Sequence, residues 1–430
     1  MHFAPRISMG RVTPRRAAGR ALAMLAATLF ASAAPAGAET LSLAQAEALL
    51  LRQTPGLAAL MQKSVELRHQ AVAAGQLPDP RLSLDAVNLP SESLALNRQQ
   101  MTMLSVGVSQ SFPPWGKRPL ERDRTETEAR AALAERGASA AKLTLALRQA
   151  WLDAVYDEQA RQVVAVQQRL AAQSTQASLA AYRVSQAPEA DVLRSRLAQE
   201  ELVNALSRIE SERVDALARI AQLLGLSDTP DLDGHWPELP APPSLPQMLA
   251  RLPGQPALRA AQVQTDAARL GVAIARRDYY PEFTVSLGYG QSYYPGSPNW
   301  LSAGVEMNLP IFPGKRQDQN LAAAQAQALQ AQYRYEDKRL AYARQARSTY
   351  ARYEALTAQW QRTEGELLPT ARHAYEATLA AYTAGRMDMS AVLKAQQDVL
   401  DMGLTALRYR RDLESTRAEL DYLATQGETQ

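Results

Sequence analysis

The sequence predicts a mainly helical chain that also carries four membrane-crossing β-strands, set in two copies of one structural unit. Three observations carry this expectation. Short segments alternate apolar with small or polar residues at period two. Two runs of about 70 residues hold few helix breakers. A set of sequence anchors recurs in order at a separation of 197 to 202 residues.

Composition narrows the possible functions. The chain has 430 residues, 47 Lys+Arg against 44 Asp+Glu, and no cysteine. Lack of cysteine excludes a disulfide scaffold, Cys-ligated zinc, iron–sulfur clusters, a thiol nucleophile and a lipid anchor on cysteine. The four histidines, His2, His69, His235 and His373, are scattered. No metal centre or cofactor is expected. Mean hydropathy is −0.30, and no apolar run of about 20 residues follows the N-terminal region, which excludes a polytopic helical membrane protein. A membrane β-barrel is not excluded, because its strands give a weaker signal. No paired carboxylates, HExxH, GxSxG or Gly-rich loop stands in a catalytic context, so no enzyme is expected.

Residues 1–38 are expected to be a signal peptide. They carry Arg6, Arg11, Arg15, Arg16 and Arg20 and no acid, then an apolar run from Ala21 to about Ala34, then Ala36-Gly37-Ala38 before Glu39. The basic balance of the chain resides in this leader. The remainder is slightly acidic, and a nucleic-acid partner is not expected.

The sequence is internally duplicated. Pro55-Gly56-Leu57 matches Pro256-Ala257-Leu258, and Ser105-Val106-Gly107-Val108 matches Ser302-Ala303-Gly304-Val305. Gly116-Lys117-Arg118 matches Gly314-Lys315-Arg316, and Ala181-Tyr182 with Val192-Leu193 matches Ala381-Tyr382 with Val392-Leu393. The first repeat spans 39–227 and the second 247–430. A Pro-rich linker, 228–246, lies between them.

Each repeat is expected to hold a helix, two strands and a long helical hairpin. The strand signatures are Arg81 to Val87, Leu104 to Phe112, Phe283 to Gly290 and Leu301 to Ile311. About 10 residues per strand crosses a bilayer when tilted, although a soluble half-buried sheet has the same alternation. The helical runs are Arg118 to Val184 and Arg316 to Ala384, with Gly137, Gly365 and Pro369 as irregularities. One such helix is about 100 Å long, too long for a compact domain. Leu321, Leu329, Tyr333, Leu340, Tyr350, Tyr353, Leu356 and Trp360 form a stripe expected to be coiled-coil core.

Trp115 before Lys117 and Arg118, and Phe312 before Lys315 and Arg316, follow the strands. Cations at a helix start oppose the helix dipole. An aromatic ring beside two cations suits a membrane–water interface and its lipid phosphates. Four strands cannot close alone, and an open edge is not tolerated in lipid. The expectation is a twelve-stranded barrel shared by three chains, continued by a long α-helical barrel in the periplasm.

These residues resemble the TolC-like outer-membrane efflux proteins, trimeric channel-tunnels. The resemblance rests on Leu77-Pro78-Asp79-Pro80, Gln110-Ser111-Phe112-Pro113, Leu309-Pro310-Ile311-Phe312-Pro313-Gly314 and Leu367-Leu368-Pro369-Thr370-Ala371 leading to Tyr382 and Gly385. The first two resemble the heavy-metal branch. The resemblance implies a passive exit duct, a homotrimer in outer-membrane lipid. A periplasmic membrane-fusion adaptor would link it to an inner-membrane resistance–nodulation–division pump. It favours heavy-metal cations as cargo over organic solutes or type I secretion. A periplasmic coiled-coil scaffold is the alternative outside transport. The family's periplasmic gate maps onto Tyr182 to Val192 and Tyr382 to Val392. Asp191 and Tyr382 take the place of a gate-holding pair, while Ala391 and Lys394 replace two pore-ringing acids. Asp388 and Glu189 are the nearest substitutes, and Arg386 with either of them is the next candidate for holding the tip. Met387-Asp388-Met389 is read as packing or adaptor contact rather than a soft-metal site.

Overall fold

The computed structural model describes residues 40–426. The expected signal peptide lies outside them. From Leu41 onward the described residues form one unit.

Helix α1, Leu43–Gln53, starts at a capping box in which the Ser42 hydroxyl and the Gln45 amide each serve the other's backbone. Helix α2, Pro55–Ala74, has proline in its first turn, where no intrahelical N–H is needed. Strands β1, Arg81–Val87, and β2, Met103–Phe112, follow. Gly116, at φ 80°, turns the chain into α3, Lys117–Arg183, a helix of 67 residues. Helix α4, Glu189–Leu224, returns beside it and ends on Gly225 at φ 68°.

The second half repeats this order. Helices α5, Leu245–Arg251, and α6, Pro256–Arg277, precede strands β3, Glu282–Ser292, and β4, Trp300–Asn308. Helix α7, Gln317–Arg362, passes through a π-helical turn at Thr363–Leu367 into α8, Leu368–Thr383, and α9, Met389–Ala424, returns. The second long run is therefore not one regular helix. The widened turn sits where Gly365 and Pro369 weaken the regular ladder.

The strands form one antiparallel sheet in the order β1-β2-β3-β4. The repeats meet at β2 and β3, where Val106 faces Tyr289 and Val108 faces Leu287. Strand β4 ends at Asn308, short of the expected Ile311, because Pro310 has no N–H for a ladder.

Packing concentrates around α3. Trp151, Leu147 and Val155 of α3 meet Ala46 and Leu50 of α1 and Ile220, Ala216 and Leu224 of α4 in one cluster. Further along, Ala160 and Val164 meet Leu202 and Ile209 of α4 and Leu400 of α9. The Pro-rich segment 228–246 is tied to this body rather than free. Leu232 bridges to Leu41, and Leu232 and Trp236 pack on the Trp151 cluster. The expected stripe on α7 is divided. Leu356 is buried and Tyr350 and Tyr353 pack against Leu420 and Leu423, but Leu329, Tyr333 and Leu340 are exposed. Among the described residues α7 packs against α6 and α9, and these three side chains stay outside both contacts.

Candidate membrane sheet and helix tips

Register sorts the sheet into two chemically distinct faces. One row across it is Leu82, Val108, Leu287 and Ala303, and the next is Leu84, Val106, Tyr289 and Leu301. These apolar side chains are exposed, Leu84 by 78% and Leu301 by 76%. The opposite face carries Ser83, Gly107, Gly288 and Ser302 in one row and Arg81, Ser109, Ser286 and Gly304 in another. Asp85, Glu282, Thr284 and Glu306 share this face. Strand period and pairing register produce the segregation together, since a slip of one residue would mix the faces.

Glycine and serine are matched across strands on the polar face. A Cβ at Gly107 would stand 2.9 Å from the Ser83 hydroxyl, one at Gly288 2.9 Å from that of Ser302, and one at Gly304 2.8 Å from that of Ser286. Each hydroxyl thus occupies the space that its neighbour's missing side chain leaves. Ser302 and Ser286 donate to the Gly288 and Gly304 carbonyls at 3.3 and 3.4 Å. In the sequence these residues are distinguished only by being small; the strand register makes them partners.

The proposed interface residues divide by repeat. Trp115 is 92% exposed and Phe312 84%. Lys315 and Arg316 are exposed and make no ion pair among the described residues. Lys117 and Arg118 differ. Lys117 donates to Asp278 at 2.7 Å and lies 3.9 Å from Glu121. Arg118 donates to the Gly75 carbonyl at 3.4 Å. A lipid role alone is therefore not the reason for cations at the start of α3. They fasten α3 to the end of α6 and the end of α2.

The two helix tips share one backbone design. In the first, Ser185 and Gln186 N–H donate to the Tyr182 and Ala181 carbonyls, both at 2.9 Å. In the second, Gly385 and Arg386 N–H donate to the Tyr382 and Ala381 carbonyls, also at 2.9 Å. Asp191 and Ala391 N–H then donate to Pro188 and Asp388 carbonyls at 3.1 Å. The left-handed position is Ser185 at φ 60° in one and Gly385 at φ 69° in the other.

The side chains do not form the expected gate-holding link within the chain. Asp191 is 8% exposed and accepts from Arg194 at 3.3 Å, one turn along its own helix. Tyr382 is half-buried and has no side-chain hydrogen bond among the described residues. Tyr182, Glu189, Arg386 and Asp388 are exposed, and Lys394 pairs with Asp398 at 2.5 Å. Met389 is buried at 4% exposure while Met387 is 49% exposed, so the two thioethers do not present a common surface.

The described residues contain no group of three or more His, Asp or Glu placed to hold a metal. No helix among them is long and apolar enough to cross a membrane.

Comparison with known proteins follows the same lines. The profile of the family described as outer membrane efflux protein matches residues 250–425. The cobalt-zinc-cadmium resistance protein CzcC of Cupriavidus metallidurans is 29% identical over 167 residues, 39% of this chain and 39% of that protein. Protein CyaE of Bordetella pertussis is 28% identical over 256 residues, 55% of this chain and 52% of that protein. The matches thus span about two-fifths to half the length of these relatives. A crystal structure of CusC, described in terms of folding and transmembrane channel formation, superposes with a TM-score of 0.75 at 18% identity, covering 90% of this chain and 92% of that one. The chain resembles the outer membrane efflux proteins in the sequence of its second half, and it shares the fold of CusC over nine-tenths of its length.

Proposed function

We propose that this chain is one third of an outer-membrane exit duct. The observation that carries the reading is a four-stranded sheet whose apolar face is exposed and whose outer strands β1 and β4 each have one neighbour. In lipid the apolar face is satisfied and the open edges are not, because unpaired N–H and C=O groups there are unfavourable by several kcal/mol each. Pairing β4 of one copy with β1 of the next removes the edges. Three copies give twelve strands and leave the Ser- and Gly-lined face around a wet lumen. The long helices of the same copies continue the duct into the periplasm.

In this reading solute moves passively. It is delivered by an inner-membrane resistance–nodulation–division pump through a periplasmic adaptor that meets the helix tips. The favoured cargo is heavy-metal cations, supported by the likeness to CzcC, a cobalt-zinc-cadmium resistance protein. Organic solutes passing through the same fold are the alternative. A periplasmic coiled-coil scaffold is disfavoured, since it would leave Leu82, Leu84, Leu301 and Val305 facing water.

Gating is assigned to the tips, where the turns of three copies crowd one axis. With no side-chain bond to Tyr382 among the described residues, the gate-holding contact to Asp191 would have to form between neighbouring copies.

Chemical crosslinking in detergent tests the assembly and should saturate at three. A monomer that conducts in planar bilayers would overturn it. For the cargo, deletion of the gene should sensitise cells to divalent heavy metals but not to hydrophobic drugs. The reverse pattern would reassign the substrate class.

A further inference from the structure

Asp157 lies within α3 where α4 and α9 both pack against it. It is 4% exposed and has no hydrogen bond or ion pair among the described residues. Its flanking residues Ala154, Val155, Ala160 and Val164 are buried and apolar. The next residue on α3 shows how differently a carboxylate can be treated. Glu158 accepts from Arg161 at 2.7 Å and lies 3.3 Å from Arg213 of α4, and these partners hold it below the usual carboxylate range.

The charges around Asp157 do not compensate it. Asp153 precedes it by one turn on α3. Helix α4 presents Glu212 and Arg219, and α9 presents Arg411. Both arginines are already engaged. Arg411 bonds Asp412 at 2.6 Å, lies 3.7 Å from Asp153 and stacks on the Tyr156 ring at 5.0 Å. Arg219 contacts Asp153 at 3.4 Å and Asp215 at 3.1 Å. Two cations therefore serve three other carboxylates before Asp157, and Glu212 adds a further negative charge.

We infer that Asp157 is a pH-sensitive fastening between the α3–α4 hairpin and α9. The junction is tight when this carboxyl is neutral and slack when it is charged. A neutral carboxyl can share the buried apolar contact. A carboxylate there is desolvated and repelled by Glu212 and Asp153, and separation of the helices relieves both. Burial, then Glu212 and Asp153, push its pKa up to about 7 from 3.8. The folded state therefore binds the proton more tightly than the unfolded chain does. The stabilisation is full below pH 3.8 and is lost as pH rises through 7. The window includes neutral pH, so the junction would respond to modest pH changes.

The test is hydrogen exchange on the mature chain in detergent, followed for 154–164 of α3 and 404–413 of α9. Rates are corrected for intrinsic pH dependence. Between pH 5.5 and pH 8 the opening equilibrium of wild type should rise roughly thirty-fold, the linkage expected for one group with these two pKa values. Asp157→Asn should abolish the rise, and Glu158→Gln should leave it in place. Glu212→Gln, an exposed substitution, removes a charge that raises the Asp157 pKa, so the rise should be smaller and end at lower pH, without disturbing the fold. A flat wild-type profile would overturn the inference. So would a slope that survives Asp157→Asn, or an unshifted Glu212→Gln profile should Asp157→Asn not fold. The measurement is independent of channel activity, so its outcome stands apart from the proposed function.

Discussion

The ammonium of Lys117 donates to the carboxylate of Asp278 at 2.7 Å, joining the first residue of α3 to the residue that ends α6. The two residues belong to different repeats and both are about three-quarters shielded from solvent. The bond fixes the point at which both repeats leave the sheet and enter the helices. It also distinguishes the two Lys-Arg pairs, because Lys315 and Arg316 have no such partners among the described residues.

Lys117→Met should therefore lower thermal stability by about 1 kcal/mol, a charge-assisted bond reduced by partial exposure. Lys315→Gln with Arg316→Gln should leave stability unchanged but weaken retention on vesicles containing anionic lipid. Calorimetry and vesicle flotation separate the two effects. Equal destabilisation by both substitutions would show that the pairs share one role.

The left-handed tip positions make opposite predictions. Ser185 at φ 60° pays a steric penalty that Gly385 at φ 69° avoids. Ser185→Gly should stabilise the α3–α4 hairpin by about 0.5–1 kcal/mol, and Gly385→Ala should destabilise the α8–α9 turn by about 1 kcal/mol. Denaturant unfolding reads both, and changes of the same sign would contradict the assignment.

On the polar face of the sheet, Gly107→Ala should place a methyl against the Ser83 hydroxyl, 2.9 Å from it. The expected effect is a lower melting midpoint, by about 1 kcal/mol equivalent, with most of it recovered by Ser83→Gly in the same chain. Additive losses in the double variant would mean that the two side chains are not in contact.

The loops 88–102 and 293–299 join the strand pairs at the end of the sheet opposite the helices. If the sheet spans the outer membrane, a short epitope inserted at Glu92 or Ser297 should be labelled by antibody on intact cells. Labelling seen only after lysis would invert the topology.

For the gate, Tyr382→Phe combined with Asp191→Ala should raise single-channel conductance while export continues. A wild-type conductance would move attention to Arg386, Asp388 and Glu189.

Local elements were legible in the sequence because they are set by near neighbours. Period two in Leu104 to Phe112 gives a strand by side-chain alternation alone, and the absence of breakers from Lys117 to Arg183 gives a helix. The repeated Ala-Tyr and Val-Leu anchors marked both tip turns, because the turn bonds connect residues three to five apart. Relationships between distant segments were not legible. Lys117 finds Asp278 across 161 positions. Ser302 and Gly288 become partners only through the β3–β4 register, and Asp157 is isolated by groups drawn from α3, α4 and α9. Composition and periodicity record what each residue prefers. Which charges meet, which glycine receives a hydroxyl and which carboxylate loses its water are decided when helices and strands far apart in the chain exclude solvent between them.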